Sequence, residues 1–183
     1  MPSDLTAGLE YNRDRLKDNM WGYDRHTDQT VNIYSAFLQN EWKNERWSIL
    51  VGGRLDKHNM VDNIIFSPRA NLRFNPTQNI NLRLSYSSGF RAPQAFDEDM
   101  HIENVGGTVA MIERTKNLKE EKSQSFSASA DIYHRFGAFQ TNFLIEGFYT
   151  KLTDVFVLGE PYNRGDGVLV KLRSNGPGAK VVG

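Results

Sequence analysis

The chain has 183 residues, with 22 lysines and arginines against 22 aspartates and glutamates, so its formal net charge is zero. This neutral balance gives no electrostatic reason to expect a nucleic-acid partner, and the absence of cysteine excludes disulfides, thiolate catalysis and cysteine-based zinc sites. No window approaches the roughly 18 consecutive apolar residues of a transmembrane helix, although hydropathy averages do not detect the alternating strands of a membrane β-barrel.

Apolar and polar residues alternate along most of the chain, which predicts long β-strands. In chain order, the alternating segments span residues 5–12, 33–42, 47–56, 66–74, 80–87, 125–132 and 142–149. Their length of about ten residues exceeds the ~5–6 residues typical of strands in soluble proteins. Since no segment shows the i, i+3, i+4 spacing of an amphipathic helix, the sequence predicts an all-β chain.

The two faces of these predicted strands differ in charge. Their apolar faces, such as Leu5, Ala7, Leu9 and Tyr11, contain no charged residue, and a charge facing lipid at mid-depth costs about 2–4 kcal/mol. The opposite faces carry Arg54, Asp56, Arg69, Arg73, Arg83, Asp131 and Glu146. This pattern is typical of a membrane barrel with a wet interior. A soluble β-sandwich with one solvated face has the same local pattern, so we keep it as the alternative.

The predicted connections alternate between longer and shorter ones. The longer ones cover residues 17–30, 58–63, 91–119 and 159–167, and the shorter ones cover residues 43–45, 75–79, 135–138 and 176–178. In an up-and-down meander every second connection lies at the same end, so all the longer loops fall on one side. Short turns at one end and long loops at the other are typical of outer-membrane barrels. Aromatic residues near strand ends fit interfacial girdles: Tyr11, Trp42, Trp47, Phe74, Tyr86, Phe90 and Tyr149.

A specific resemblance begins at Ser87–Pro93, which reads SSGFRAP and is followed by QAFDEDMHIENVGG. Farther along, NLKEEKSQSFSASADIY leads into FLIEGFYTKLTDVF, and AFLQNEWKNERWSILVGGRLDKHN precedes the motif. In this order, the segments resemble the β-barrel of TonB-dependent outer-membrane receptors of Gram-negative bacteria. The segment QAFDEDMHIE is similar to receptors of the Bacteroidetes.

The resemblance implies an antiparallel up-and-down meander that forms about 7–8 strands of a 22-stranded transmembrane barrel. Such receptors import an iron–siderophore, haem or cobalamin with energy from the inner-membrane TonB complex, which acts on an N-terminal plug domain. Residues 1–183 are then a single barrel segment, without the plug domain and the terminal strands. We expect this segment alone to leave sheet edges and an apolar face exposed, and therefore to self-associate.

Several residues are candidates for ligand contact. Asp97, Asp99 and His101 lie in the longest loop and offer hard oxygen donors and an imidazole, with a solvated acidic loop as the simpler alternative. Their spacing is not that of an EF-hand, and the identity of any metal stays open.

Arg69, Arg73 and Arg83 share the polar face and suit anionic catecholate or carboxylate ligands. The alternative is that they pair with acidic residues of the plug or of neighbouring strands. Trp21 and Tyr23, in the first long connection, are suited to stacking on an aromatic ligand, with ordinary loop packing as the alternative.

The motif Gly89, Phe90, Arg91, Ala92 and Pro93 is predicted to be structural, because Pro93 removes a ladder donor and favours extended geometry at Ala92. No catalytic motif is present, so the sequence predicts a protein that is not an enzyme and has no cofactor. Besides import, we consider a soluble β-sandwich that binds carbohydrate or protein, which requires Greek-key crossings and shorter strands. An outer-membrane enzyme requires a Ser/His/Asp set that the predicted strands do not supply.

Overall fold

A computed structural model describes residues 1–23, 25–95, 103–105, 108–165 and 167–183. These residues form β-strands joined by turns and loops, with a short 3₁₀ helix at Trp21–Tyr23. The strands are β1 (Ser3–Met20), β2 (Arg25–Lys43), β3 (Trp47–His58), β4 (Ile65–Thr77), β5 (Ile80–Arg91), β6 (Glu103–Val105), β7 (Thr108–Arg114), β8 (Glu121–Phe136), β9 (Phe139–Thr153), β10 (Phe156–Leu158), β11 (Tyr162–Asn163), β12 (Leu169–Asn175) and β13 (Ala179–Val182). Within this part of the chain, no helix has the length and apolar character needed to cross a membrane.

The larger of two sheets has eight strands in the order β1-β2-β3-β4-β5-β8-β9-β13, and each strand is antiparallel to its neighbours. Strands that follow one another lie side by side, apart from the insertions after β5 and β9. The prediction of an all-β meander is confirmed, and the Greek-key order of a sandwich is not observed in this sheet. The sheet is open, with β1 at one edge and β13 at the other.

The β1–β2 hairpin is longer than the sequence predicts. The expected connection over residues 17–30 is wrong, because β1 continues to Met20 and β2 already begins at Arg25. Residues 25–32 pair with β1 but not with β3, so this part is a two-stranded ribbon that projects beyond the sheet. Residues 25–30 are all polar, so this part of the ribbon does not show the alternation on which the prediction depended.

A smaller sheet has the order β10-β12-β7-β6, with β11 beside β12. β6 and β7 lie within the expected loop over residues 91–119, whereas β10 and β12 flank the expected connection over residues 159–167 and only β11 lies inside it. Its β7–β12 pair is parallel, which a simple meander does not predict. The sequence does not show β7 and β12 as alternating strands because they are short and buried in the smaller sheet, where Val170 and Met111 are 0% and 2% exposed. Short strands covered on both sides read as apolar runs rather than as alternation.

The register of the large sheet places the apolar residues of neighbouring strands on one face, which we call the apolar face. Leu38 lies opposite Ala7 and Gly53, and Leu72 lies opposite Ile49 and Leu84. This face is uncovered: Leu9, for example, is 87% exposed. A large uncovered apolar surface is unusual for a protein in water. The other side, which we call the polar face, carries Arg54, Asp56, Arg69, Arg73, Arg83, Asp131 and Glu146, as predicted.

Aromatic pairs mark both margins of the apolar face. Tyr11 stacks on Tyr34, with ring centroids 4.8 Å apart, near one margin. Trp47 stacks on Phe74, with centroids 4.1 Å apart, near the opposite margin. Aromatic rings at two levels of an apolar band are typical of transmembrane barrels.

The two ends of the large sheet differ in their connections. At the turn end, residues 44–46, 78–79 and 137–138 make tight turns, and the last of these uses Gly137 with a φ of 59°, a conformation that favours glycine. At the loop end lie the ribbon, residues 59–64 and the two segments that carry the smaller sheet. The predicted separation of short and long connections is therefore present for these segments. It is wrong for the short connection at residues 176–178, which lies at the loop end between β12 and β13.

Candidate functional site

The described residues form a cleft at the loop end. Its volume is about 690 Å³, within the range of ~300–1,000 Å³ that is usual for small-molecule sites. Four parts of the chain line it: the start of β2, the connection after β3, the segment after β5, and the end of β7 with the residues that follow. The lining includes Arg25, His26, Asn59, Pro93, Arg114 and Lys116.

The segment that follows β5 forms one wall of this cleft, and contacts with the sheet hold it in place. Ala92 is 6% exposed and packs with Val61, Ile65 and Phe90 in a small apolar core. The amide of Ala95 donates a hydrogen bond to the Gln29 side chain at 2.6 Å. The packing of Ala92 and the hydrogen bond of Ala95 therefore hold this segment against the end of the sheet.

The cleft wall formed by β7 is tied to the same segment. A guanidinium nitrogen of Arg114 donates to the carbonyl of Pro93 at 2.9 Å. Glu113, the acidic residue of the lining, lies 3.2 Å from Arg164. Since Arg25, Arg114 and the exposed Lys116 also line the cleft, positive side chains outnumber negative ones among the described residues of its lining. This balance suits an anionic ligand.

His58 lies next to the cleft lining, at the end of β3, and is 1% exposed. The Met60 amide donates to its Nδ1 at 3.0 Å, and its Nε2 lies 3.3 Å from the Gln94 side-chain oxygen. The neutral tautomer with hydrogen on Nε2 satisfies both contacts. Burial lowers the pKa of His58, and the contact with Gln94 and the charge of Asp56 only partly oppose this effect.

On the polar face, Arg54 is the centre of an ion-pair cluster. It contacts Asp56 at 2.8 Å, Glu10 at 2.9 Å and the Ser35 hydroxyl at 2.7 Å. The Ser35 hydroxyl in turn donates to Asp56 at 2.6 Å. Both Asp56 and Ser35 are buried. The cluster therefore cross-links the first three strands and has few donors left for a ligand.

The three predicted polar-face arginines lie in the middle strands of the sheet and away from the cleft lining. Arg73 and Arg83 are directly opposite each other on β4 and β5, and Arg73 Nε is buried without a hydrogen-bond partner in the described structure. Arg83 contacts Asn81 at 2.8 Å, and Arg69 contacts Gln39. None of the three lines the cleft.

Of the predicted aromatic candidates, Trp21 lies close to the cleft. It is 79% exposed in the turn between β1 and β2, and its ring meets the ring of His26 edge-on at 5.1 Å. Tyr23 belongs to the same turn. Asp97, Asp99 and His101 lie outside the described residues. Within the described ranges, no group of three residues is arranged to hold a metal ion.

The sequence prediction missed the cationic lining. Arg25 and His26 fall in the ribbon that was expected to be a polar connection, and Arg114 and Lys116 fall near the end of the longest expected loop. The only available signal was their positive charge close to the ends of segments. Their convergence depends on the pairing of β7 with β12, which alternation does not reveal.

Several solved structures share this fold. The siderophore receptor PirA from Pseudomonas aeruginosa aligns with a TM-score of 0.81 and 18% identity, over 99% of this chain and 35% of that chain. A mutant of the ferric enterobactin receptor PfeA from Pseudomonas aeruginosa, in complex with enterobactin, gives 0.74 and 18%, over 99% and 30%. The FrpB iron transporter from Neisseria meningitidis gives 0.67 and 16%, over 99% and 29%.

The chain thus spans about a third of the length of these structures. No curated protein matches it. Residues 2–179 match the family described as TonB dependent receptor-like, beta-barrel. Together with the open antiparallel meander, this match shows that the chain belongs to the TonB-dependent receptor β-barrel family.

Proposed function

We propose that this chain is a section of the barrel of an outer-membrane receptor that imports an iron–siderophore complex or a similar scarce nutrient. Members of the family are outer-membrane receptors and transporters of Gram-negative bacteria rather than enzymes. In this proposal the apolar face contacts lipid and the polar face lines the barrel interior. The cleft at the loop end captures ligand from outside the cell.

The observation that carries the proposal is the cationic cleft at the loop end of a membrane-type sheet. Ferric complexes of catecholate or carboxylate siderophores are anionic, and guanidinium and ammonium groups bind such oxygens. The cleft lining brings Arg25, Arg114 and Lys116 to one site. Trp21 adds an exposed aromatic surface beside it.

The remaining partners follow from the proposed receptor. The plug domain and the other barrel strands belong to the rest of the protein, and the plug connects it to the TonB complex. Arg73 and Arg83, opposite each other on the polar face, are placed to meet acidic groups of the plug or of a ligand in transit. Like charges on adjacent strands are destabilising unless a counter-charge joins them.

Uptake by cells tests the proposal. A strain without the full-length gene is compared with its parent for uptake of four radiolabelled probes: ferric enterobactin, ferric citrate, haem and cobalamin. We expect the loss of one of these uptakes in the deletion strain and its return with the gene. Unchanged uptake of all four probes contradicts the proposed function.

The role of the cleft is tested with matched charge-removing variants of the receptor. We expect Lys116→Gln to raise the half-saturating concentration of the transported probe by about five- to tenfold, because a charged contact at an exposed site contributes roughly 1 kcal/mol. Lys43→Gln removes one positive charge at the turn end, where Lys43 pairs with Asp4, and should leave uptake unchanged. Equal uptake by both variants contradicts capture at this cleft.

A further inference from the structure

Three lysines form a cluster on the apolar face at its loop end. Lys151 of β9 lies directly opposite Lys180 of β13. Lys122 of β8 is a diagonal neighbour of Lys151, because it pairs with Thr153, two residues farther along β9. All three side chains are exposed. We call Lys122, Lys151 and Lys180 the lysine triad.

The described residues balance only part of the positive charge of the lysine triad. Lys122 contacts Glu120 at 3.0 Å, but within the described residues neither Lys151 nor Lys180 has an acidic partner. On the other cross-strand side, Lys151 lies opposite the neutral Gln124. Like charges directly opposite each other destabilise a sheet, so this arrangement favours an external anion.

Two other cations at the same end of the apolar face, Lys57 and Arg15, are already engaged. The Lys57 ammonium donates to the carbonyls of Val61 and Asp62 at 3.2 and 2.7 Å. Arg15 lies 2.7 Å from Asp28 and lowers the pKa of that carboxyl group through its hydrogen bonds. The lysine triad differs from these residues because two of its three ammonium groups lack such partners.

The position of the lysine triad identifies the kind of anion. On these strands the last apolar residues before the triad are Phe126, Tyr149 and Val182, which lie opposite one another in the register. Each lysine of the Lys151–Lys180 pair is two residues farther along its strand, a distance of about 7 Å. Just beyond an apolar band that ends in aromatic rings is the level of lipid headgroups.

We propose that the lysine triad binds the phosphate of an anionic lipid headgroup in the outer leaflet, while the acyl chains of this lipid lie on Phe126, Tyr149 and Val182. This inference rests on the proposed membrane location of the barrel. Long lysine side chains reach from an apolar surface to charged groups at its margin, and basic residues near a membrane surface attract anionic lipid. The shallow, exposed site favours a phosphate held by its lipid over free phosphate.

Binding is measured on the full-length receptor in detergent micelles as the rise in thermal unfolding temperature on addition of phosphatidic acid. We expect a saturable rise for the natural protein. The double variant Lys151→Gln/Lys180→Gln should bind roughly 25-fold more weakly, since each lysine near an anionic lipid surface contributes about fivefold. The variant Lys151→Arg/Lys180→Arg keeps both charges and should bind like the natural protein.

Two results overturn the inference: equal binding of phosphatidic acid by the glutamine and arginine variants, or the same rise produced by inorganic phosphate at the same concentration. Iron uptake separates this inference from the proposed function. If the glutamine variant loses lipid binding but keeps normal uptake, the lysine triad is a lipid site that transport does not need. If the receptor binds phosphatidic acid but transports none of the four probes, only the proposed function is contradicted.

Discussion

His58 shows how a single residue couples the sheet to the cleft. It is buried at the end of β3, accepts a hydrogen bond from the Met60 amide and contacts Gln94 of the segment that forms a cleft wall. Its ring also meets Phe90 edge-on at 6.5 Å. Protonation would place a second N–H group against the Met60 amide, so the packing requires the neutral form.

We expect the receptor to lose stability when the pH falls below the ordinary histidine pKa of about 6.5. Burial lowers the pKa of His58 in the folded protein, so below this pH the unfolded chain binds the proton more readily than the folded one. The stabilisation by neutral His58 is complete above pH 6.5 and declines as the pH approaches the lower folded-state value. Thermal unfolding of the full-length receptor in detergent at a series of pH values measures this decline.

His58→Phe is the control for this pH dependence. It should unfold more easily than the natural protein at pH 8, by about 1–3 kcal/mol, because the Met60 amide loses its acceptor. Its loss of stability between pH 7 and pH 5 should be smaller than that of the natural receptor. The same pH profile in both proteins would show that His58 does not cause the decline.

At the scale of strands, the β2–β3 pair depends on a glycine that allows close approach. A Cβ atom on Gly52 would lie 2.6 Å from the Gln39 Cβ and 2.9 Å from the Leu38 carbonyl oxygen. We expect Gly52→Ala to force these strands apart and to cost about 1–3 kcal/mol. In Gly147→Ala the new methyl group would have only an ordinary contact, 3.7 Å from the Gly183 oxygen.

The amount of folded receptor in outer membranes, read from the mobility of unheated samples on gels, compares these two variants. Gly52→Ala should yield less folded receptor than the natural protein, and Gly147→Ala should yield an equal amount. Equal yields for both alanine variants would argue against close packing of β2 and β3 at Gly52.

The smaller sheet should be able to unfold without the barrel, because its buried residues pack on one another within that sheet. Val170 has no exposed surface and pairs with Met111, so Val170→Asp buries a carboxylate at a cost of several kcal/mol. We expect protease added to intact cells to cut residues 154–178 faster, while the barrel stays folded. Val157→Asp, at a position that is 38% exposed, should be cut like the natural protein. Equal resistance of Val170→Asp would contradict the role of this centre.

Strand content was predictable from the sequence wherever one face of a strand is apolar and the other polar. This holds for β3, for which residues 47–56 were predicted and Trp47–His58 are observed. It fails for the ribbon, where Arg15 and Asp28 form an exposed pair on a hairpin that is polar on both faces. It fails again for β7 and β12, since short strands buried on both sides show no alternation.

The candidate site was less predictable than the fold. Arg69, Arg73 and Arg83 alternate with apolar neighbours in the sequence, and this alternation is enough to predict that they lie on the polar face of β4 and β5. The cleft instead joins residues far apart in the chain, such as Arg25 and Lys116. Their proximity depends on tertiary contacts of loops, for which a single sequence carries no regular pattern.

For the whole molecule, the open sheet has a direct consequence for the isolated chain. The two edge strands leave their outer hydrogen-bonding groups unpaired, and apolar side chains such as Leu9 and Phe143 are 87% and 60% exposed. We expect residues 1–183, expressed alone and without detergent, to form oligomers through these surfaces. Sedimentation velocity measures this, and a folded, monodisperse monomer would contradict the prediction.

The central claim is that the apolar face lies against lipid, and spin labels on β9 test it most directly. The chain has no cysteine, so a single cysteine can carry the label once any cysteine elsewhere in the full-length receptor is replaced. Labels at Phe143, Ile145 and Tyr149 report on the apolar face, and labels at Asn142 and Glu146 report on the polar face. In bilayers, the first three should be more accessible to oxygen than to a water-soluble nickel complex, and the other two the reverse. Poor access of both reagents to the first three would mean that protein covers the apolar face, as in a soluble sandwich, and would contradict the account.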